Sequence, residues 1–432
     1  RRRGSGDCLH LLDCKLEAPF ITMKAINIER ALWHTRRHFG HTGAEQFSFP
    51  VGSARAWLSD TNVPPERLSL SNARRVVVKV GTAVVSNPDG TLALSRLGAL
   101  VEQIKELNQG GRQVMLVSSG AVGLGRLRLG LAKDVVANPA NVIDRQACAA
   151  AGQGILMSTY DTLFQRLNMT CAQVLITQSD FLSRERYSYL TDTLERLMSL
   201  GVTPIINEND VVTGCSELDT HRVFSDNDKL SALVAAGSDA DGLALLTDVD
   251  AVFTKPPGDP GAERIKIWDR QSAVVIGEHS PMGRGGMASK ISAARISALG
   301  GVHTVVASGY DLQNITKIFA GNDVGTLFPA AARPNKRQRW LTFATVNQGK
   351  IRVTQAVKES LTGYGASKGL PVSAVLSVEG TFDSRSVIAI EDEEGVEFAR
   401  GMVQLSSESL ADKSAVDQLA VNPHDYVILE AF

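Results

Sequence analysis

The chain has 432 residues, of which 44% are hydrophobic and 21% charged, and 45 basic side chains against 46 acidic ones give a net charge of −1. This composition excludes a disordered chain and a global electrostatic preference for nucleic acid or membrane. No run approaches the ~20 apolar residues of a membrane helix, and five scattered cysteines do not form a disulfide framework. We expect a soluble protein of two or three domains in a reducing compartment, the cytoplasm.

Residues 1–72 differ in pattern from the rest of the chain and form an N-terminal extension of unspecified structure. The segment opens with three arginines, and its net charge of +3 is too mixed for a clear transit peptide. His34, His38 and His41 would share one face of a helix, a spacing that could bind a metal. No fourth ligand is evident nearby, so a solvated surface run is the alternative.

Short apolar runs alternate with helical stretches through residues 73–332. The first run, residues 76–80, is β-branched, as in a buried parallel strand, and the next stretch repeats apolar residues at helical spacing up to Gly110. Later strands are predicted at residues 114–117, 174–176, 204–206, 243–246 and 302–307. Alternation over so long a segment predicts an α/β domain with an open, mainly parallel sheet sandwiched by helices.

A third region, residues 338–432, comes after a basic linker at residues 333–337. Its apolar runs are short and separated by turn residues, which predicts a compact β-rich domain. Eight basic against thirteen acidic side chains give this region a net charge of −5.

Two turns come directly after the first two predicted strands, at the sheet edge where ligands of open α/β folds bind. Lys79 precedes a glycine turn and could present an ammonium and backbone N–H groups to phosphate, although it could also be a lone lysine at a sheet edge. Residues 118–125 (SSGAVGLG) would let a ligand approach the backbone closely. A tight packing turn explains one of these glycines but less easily three. Neither turn is a Walker A motif, and no G-x-G-x-x-G follows a strand.

Three more clusters lie at predicted turns. Residues 206–210 (INEND) come after a strand, and residues 225–229 (SDNDK) open a helix, where Asp226 could simply cap it. Dense carboxylates and amides suit a small polar ligand or a metal–phosphate group. Residues 283–290 (GRGGMASK) form a glycine-rich loop with a second lysine, a good clamp for nucleotide phosphates. These residues predict an α/β nucleotide-binding or phosphoryl-transfer domain without a P-loop.

Taken in order, the clusters resemble the amino acid kinase family, and within it the glutamate 5-kinases. The resemblance covers about residues 74–330, and the tail from about residue 338 resembles a PUA domain. The stretches that carry it are VVVKVGTAVVS from Val76, VSSGAVGLGR from Val117, PIINENDVV from Pro204, FSDNDKLSALVAAGSDADGLALLTD from Phe224 and GRGGMASKISAARISALGG from Gly283.

The resemblance implies phosphorylation of the γ-carboxylate of L-glutamate by ATP with Mg²⁺, the first step of proline biosynthesis. It implies that Lys79 and Lys290 neutralise charge on the transferring phosphoryl group and that Asp228 holds both lysines. The residues it assigns to glutamate are Ser119, Asp210 and Asn227, and we place the substrate ammonium at Asp210. The residues it assigns to the nucleotide are Lys79, Thr247, Asp248, Arg284, Gly285, Gly286, Met287, Ala288, Ser289 and Lys290.

The resemblance also implies a homo-oligomer that proline inhibits at or near the glutamate site. Residues 1–72 have no counterpart in the family pattern, and Arg284 occupies a loop position that is often small or apolar. The chain ends without room for a fused reductase domain, so a separate glutamyl phosphate reductase is the expected partner.

Two alternatives remain open. One is a kinase of the same fold that acts on another carboxylate or small acceptor. The other is an RNA-binding or sensor protein with an inactive kinase domain. The negative charge of residues 338–432 makes nucleic-acid binding a poor fit, and retention of both lysines and Asp228 argues against an inactive site.

Overall fold

The computed structural model describes residues 64–138, 141–212, 227–269, 272, 286–311, 313–333, 335–343, 349–363, 369–412 and 416–429. All of them belong to one compact unit, residues 61–432. Among the helices described, none combines the length and apolar character needed to cross a bilayer.

A seven-stranded sheet forms the larger part of this unit, with the strand order β3-β4-β2-β1-β5-β6-β7. Its strands are β1 (Arg75–Val80), β2 (Gln113–Ser118), β3 (Thr170–Ile176), β4 (Val202–Glu208), β5 (Gly242–Thr247), β6 (His303–Ser308) and β7 (Thr326–Phe328). All pairs are parallel except β6–β7, which confirms the mainly parallel sheet predicted from the sequence. The chain adds strands on one side of β1 and then crosses to the other, so the carboxyl end of β1 is the expected ligand crevice.

Helices cover both faces of the sheet. Those connecting its strands are α2 (Thr82–Val85), α3 (Leu94–Gln109), α4 (Ala121–Leu129), α5 (Lys133–Ala137), α6 (Val142–Arg166), α7 (Gln178–Leu182), α8 (Arg184–Ser199), α9 (Asn227–Gly237), α10 (Met287–Leu299) and α11 (Asn314–Phe319), with α1 (Pro65–Ser71) ahead of β1. Successive strand residues face opposite sides, so Val76 and Val78 belong to one core and Val77 to the other. Leu97, Val101 and other apolar residues of α3 pack into the first core, as their helical spacing predicts.

Helices α4 and α6 pack at backbone contact through two glycines. A Cβ on Gly125 would lie 1.8 Å from the carbonyl oxygen of Cys148, and one on Gly152 would lie 1.8 Å from that of Ala121. Gly120, which precedes α4, has a φ of 109°, a conformation that side chains rarely adopt. The glycines within residues 118–125 therefore permit both a left-handed turn and a close contact between helices. They fix the Ser118–Ser119 turn at the sheet edge.

A second, six-stranded sheet lies toward the C-terminus, with the order β10-β8-β11-β12-β13-β9 and its own apolar core. Its strands are β8 (Gly349–Val353), β9 (Leu370–Pro371), β10 (Val375–Gly380), β11 (Val387–Glu391), β12 (Glu397–Val403) and β13 (Leu419–Ile428). Helices α13 (Gln355–Thr362) and α14 (Ser407–Ala411) accompany it. The predicted β-rich region is confirmed, and its assignment as a PUA domain stays a prediction.

The segment between the two sheets is partly helical. Helix α12 (Lys336–Phe343) begins inside the run that the sequence suggested as a basic linker. Its Trp340 and Leu341 share an apolar cluster with Val387 and Met402 of the second sheet. Residues 336–337 of the basic run are thus helical, and apolar contacts of the residues after them hold this helix against the second sheet.

Candidate active site

Two lysines and one aspartate meet at the carboxyl end of β1. Lys79 Nζ lies 2.5 Å from Asp228 Oδ1, and Lys290 Nζ lies 3.2 Å from Asp228 Oδ2. All three side chains are buried. The structure therefore brings together the three residues that the sequence predicted to be catalytic.

The strand period explains this meeting. Lys79 is two residues beyond Val77 in β1 and so projects from the same face, where α9 and α10 pack. Asp228 is in the first turn of α9 and Lys290 in the first turn of α10. Both helices thus present their N-terminal turns, and with them the positive ends of their dipoles, to Lys79.

The charge balance of this cluster is positive. Burial alone would raise the pKa of Asp228, but the charges of Lys79 and Lys290 and their hydrogen bonds hold that pKa below its ordinary value. The carboxylate thus stays ionised between two ammonium groups and leaves a net charge of +1. A partly desolvated positive cluster next to helix N-termini is suited to bind phosphate groups.

A chain of side-chain amides lies beside the lysines. Asn227 Nδ2 lies within hydrogen-bond distance of three acceptors, Ser119 Oγ at 2.9 Å, Asn207 Oδ1 at 2.9 Å and the Ser118 carbonyl oxygen at 3.1 Å. Asn207 Nδ2 in turn donates to Gln153 Oε1 at 2.9 Å. The structure therefore places Ser119 and Asn227, both predicted to bind substrate, in direct contact.

The amide of Asn227 is oriented by these contacts. All three partners are acceptors, so the NH₂ group faces them and Oδ1 faces away. Asn227 Oδ1 is buried and has no hydrogen-bond partner within the described residues. A buried acceptor of this kind is costly unless a ligand supplies a donor. This amide oxygen is therefore suited to accept a hydrogen bond from a polar substrate.

Two members of this amide chain have no role predicted from the sequence. Asn207 belongs to the polar cluster at the end of β4, and its position directly before Glu208 could have indicated it. Gln153 lies in the middle of the long helix α6, and no local signal in the sequence distinguishes it. Its contact with Asn207 depends on the close packing of α6 against the sheet edge.

Asp210 lies two residues beyond β4 and is half-buried. The turn that carries it is tied to β3, since the backbone N–H of Asn209 donates to the carbonyl of Ile176 at 2.9 Å. The structure therefore places Asp210 at the same edge of the sheet as the amide chain. Its role at the substrate ammonium stays a prediction.

The predicted nucleotide-binding residues lie at the ends of β5 and α10. Thr247 ends β5, is buried, and its hydroxyl donates to Asp248 Oδ1 at 2.8 Å. Gly286 precedes α10, and Met287, Ala288 and Ser289 form the first turn that leads to Lys290. Arg284 and Gly285 lie outside the described residues, as do His34, His38 and His41.

Metal ligands are sparse in the part of the chain that the structure describes. It contains no group of three or more His, Cys, Asp or Glu side chains arranged to hold a metal ion. Asp228, which lies closest to the lysines, is already paired with both of them.

Comparison with known proteins identifies the family of this chain. The sequence profile of the amino acid kinase family matches residues 74–308. The chain is 42% identical to the glutamate 5-kinase of Acaryochloris marina over 78% of its own length and 91% of that protein. It is 43% identical to the glutamate 5-kinase of Gloeobacter violaceus over 78% of its length and 90% of that protein.

A plant enzyme extends the comparison. The chain is 37% identical to the delta-1-pyrroline-5-carboxylate synthase of Solanum lycopersicum over 84% of its own length, which corresponds to 50% of that larger protein. The profile match covers more than half of the chain, and the bacterial matches cover nearly the whole of those relatives. The chain belongs to the amino acid kinase family.

Proposed function

We propose that this protein transfers the γ-phosphoryl group of ATP to the γ-carboxylate of L-glutamate and produces γ-glutamyl phosphate, the first intermediate of proline biosynthesis. The observation that carries the proposal is the buried bridge in which Asp228 holds Lys79 and Lys290. Glutamate 5-kinases of ~42% identity over most of the chain support the choice of glutamate as the acceptor.

The nucleophile in this reaction is the substrate itself. An oxygen of the ionised γ-carboxylate attacks the γ-phosphorus, the bond from that phosphorus to the β,γ-bridging oxygen breaks, and ADP leaves with the electron pair. No proton has to be removed from the carboxylate, so the protein needs no general base. Its task is to position the two substrates and to stabilise charge.

The two lysines supply that charge stabilisation in our proposal. Lys79 and Lys290 would contact the oxygens of the transferring phosphoryl group, while Asp228 fixes both ammonium groups before the substrates arrive. Fixed charges in a desolvated site cost little reorganisation during the reaction. When bound with ATP, Mg²⁺ supplies further neutralisation of the phosphates, and Thr247, Asp248 and residues 284–290 would hold the nucleotide.

The amide chain would bind the amino-acid end of the substrate. Asn227 Oδ1 is free to accept a hydrogen bond, and Ser119 and Asp210 lie at the same edge of the sheet. We place the substrate ammonium at Asp210, on its charge and position. Proline, which has the same α-carboxylate and a secondary ammonium, is proposed to inhibit by competing at this end of the site.

A hydroxylamine-trapping assay tests the proposal. Purified protein is incubated with ATP, Mg²⁺ and L-glutamate, and with L-aspartate and N-acetylglutamate in parallel. Hydroxamate formed only with L-glutamate supports the proposal. ADP release without hydroxamate would indicate a different acceptor, and no turnover with any substrate would support the inactive-kinase alternative.

Single variants test the assigned roles in the same assay. Lys79→Ala and Lys290→Ala are each expected to lower turnover by roughly 10²–10³-fold, as loss of a preorganised charge-stabilising group does. Lys317→Ala is the matched control, because Lys317 is partly exposed and pairs with Asp311 on the surface. Near-full turnover of either active-site variant would refute the role of that lysine. An Asp210→Asn variant with an unchanged KM for glutamate would refute the ammonium assignment.

The remaining partners stay predictions. A homo-oligomer and a separate glutamyl phosphate reductase that consumes the labile acyl phosphate are expected from the resemblance, and a cytoplasmic location is expected from the composition. Sedimentation of the purified protein would test the first, and co-purification with a reductase would test the second.

A further inference from the structure

Helix α9 connects the candidate active site with the opposite edge of the large sheet. Its first two residues are Asn227 and Asp228, and it runs 11 residues to Gly237, about 16 Å at 1.5 Å per residue. Eight of its residues are buried, among them every position from Leu230 to Ala236. A helix enclosed in this way moves as a rigid rod, so a shift at its far end also moves Asn227 and Asp228.

The far end of α9 has an unusual residue. The chain leaves the helix through Asp239, which has a φ of 62°, and the backbone N–H of Ala240 closes the helix on the carbonyl of Ala235 at 2.9 Å. Glycine is the least strained residue at such a left-handed helix end. The side chain of Asp239 explains the choice, because its carboxylate accepts hydrogen bonds from Arg339 and pairs with Arg333 Nε at 2.9 Å.

Arg339 belongs to α12 and is only 5% exposed. The neighbouring Trp340 donates from Nε1 to the carbonyl of Phe181 at 3.2 Å and packs with Val387 and Met402 of the second sheet. On another part of the same helix, Arg337 pairs with the buried Asp425 at 2.7 Å. Helix α12 is therefore fixed to the second sheet and to the kinase body, and it carries Arg339 to the end of α9.

We propose that the Arg339–Asp239 pair is a positioning device, through which α12 and the second sheet set the axial position of α9 and so of Asp228 and Asn227. This inference rests on the proposed function, because it assigns those two residues a place in the reaction. Arg339 and Asp239 touch no substrate and act only through the helix. The second sheet thereby has a role in phosphoryl transfer although its strands lie outside the matched kinase segment.

A purely structural role makes a different prediction. Loss of an ion pair that serves only stability lowers the resistance to urea and leaves kcat at 25 °C unchanged. Loss of a positioning pair displaces the lysine-holding carboxylate and lowers kcat in a protein that is still folded. A misplacement near 1 Å is enough for a loss of roughly 10²-fold, so we expect about a tenfold reduction or more.

The test uses the full chain and three variants. Asp239→Asn removes the charge and keeps a residue that tolerates the left-handed conformation, while Arg339→Gln removes the partner. The double variant Asp239→Asn/Arg339→Gln should be no slower than Asp239→Asn alone, because that substitution already removes the pair with Arg339, together with the pair between Asp239 and Arg333. Lys358→Gln is the matched control, since it breaks a similar ion pair with Asp392, at 3.0 Å, between α13 and the residue that follows β11.

We expect both single variants to lose kcat about tenfold, to change the KM for MgATP by less than about twofold, and to show faster amide hydrogen exchange in the buried turns of α9 beyond its first turn. An Arg339→Lys variant should recover part of kcat. The control should keep both kcat and the exchange of α9. If the variants melt earlier but keep kcat and slow exchange in α9, the pair is structural and the proposal is overturned.

The hydrogen-exchange measurement distinguishes a failure of this inference from a failure of the proposed function. If the unmodified protein forms no hydroxamate with glutamate, the proposed function fails, whereas exchange in α9 still reports whether the pair fixes the helix. If hydroxamate forms normally and the Asp239 and Arg339 variants match the unmodified protein in kcat and exchange, the positioning role alone fails. Should Arg339→Gln not fold, Asp239→Asn provides the same comparison.

Discussion

Replacing Asp228 by asparagine is the most direct test of the charge balance in the site. The change keeps the shape of the side chain and removes the only negative charge of the buried lysine–aspartate–lysine cluster. The ion-pair distances of 2.5 and 3.2 Å correspond to gross attractions of about 7 and 5 kcal/mol at an effective dielectric constant of about 20. A neutral amide is cheaper to bury by several kcal/mol, which cancels much of this loss.

The expected net result is a loss of about 3–5 kcal/mol in the free energy of unfolding at pH 7, the range for removing one partner of a buried pair. We expect turnover to fall by roughly 10²–10³-fold as well, because both ammonium groups lose the group that holds them. Urea unfolding, read as midpoint and slope, measures the first effect. The hydroxylamine assay measures the second.

The pH dependence of this stabilisation follows from the direction in which the pKa of Asp228 is shifted. The pKa of Asp228 is lowered in the folded protein, so its stabilisation is complete above the unfolded pKa, about 3.9, and is lost as the pH falls through the folded value. The free energy of unfolding that Asp228→Asn loses relative to the unmodified protein should therefore be constant from pH 5 to pH 7. The difference should shrink only in stronger acid, near and below pH ~4.

A surface ion pair provides the control for this variant. Asp311→Asn breaks a pair with Lys317 in which the side chains are 44% and 37% exposed, and it should cost less than about 1 kcal/mol. If Asp228→Asn were as mild as this control, or kept full turnover, the argument that the carboxylate holds two buried ammonium groups would be wrong.

Three further variants, two of them with a matched control, test the packing and the titration of the kinase body. Gly152→Ala should lower the free energy of unfolding by about 2 kcal/mol or more, because its Cβ would lie 1.8 Å from a carbonyl oxygen of α4. Gly154→Ala is the control: it has open space around it and should be neutral or stabilising in a thermal melt. Burial lowers the pKa of His303 despite nearby carboxylates. The free energy of unfolding should therefore decline as the pH falls below about 6.5, and His303→Gln should flatten that decline. An unchanged dependence of the free energy of unfolding on pH would contradict this reasoning. Arg67→Met should cost about 3 kcal/mol or more in urea unfolding, since the buried guanidinium donates to four backbone carbonyls. Arg186→Met is the surface control and should cost under about 1 kcal/mol, because it removes an exposed ion pair with Asp180.

Much of the kinase body could be predicted because its signals are local. The β-branched run before Lys79, the helical spacing of α3 and the strand–helix alternation identify a mainly parallel sheet whatever the distant contacts are. Parallel strands bring their carboxyl ends to one edge, so the turns after them could be expected to contain the site. The pairing of both lysines with Asp228 came from the family resemblance rather than from the spacing itself.

Other features depend on contacts between segments far apart in the chain. The amide chain from Asn227 through Asn207 to Gln153 needs β4, α6 and α9 to meet, and nothing in the sequence near Gln153 indicates it. Arg67 looked like part of an uninformative extension, yet it is 1% exposed and donates to carbonyls about 200 to 260 residues away. The residues around a position in the sequence do not indicate hydrogen-bond partners that lie so far away in the chain.

Patterns local to the sequence were enough to predict the class of the large sheet, the positions of the candidate ligand-binding turns and the family. Each of these depends on periodicity or on motifs whose residues are neighbours in the chain. Contacts between distant segments, by contrast, established that residues 336–337 of the basic run belong to α12, that Arg339 reaches Asp239, and that Gln153 contacts Asn207. The physical reason is that burial and ion pairing depend on which elements pack together, and that choice is made by the whole chain at once.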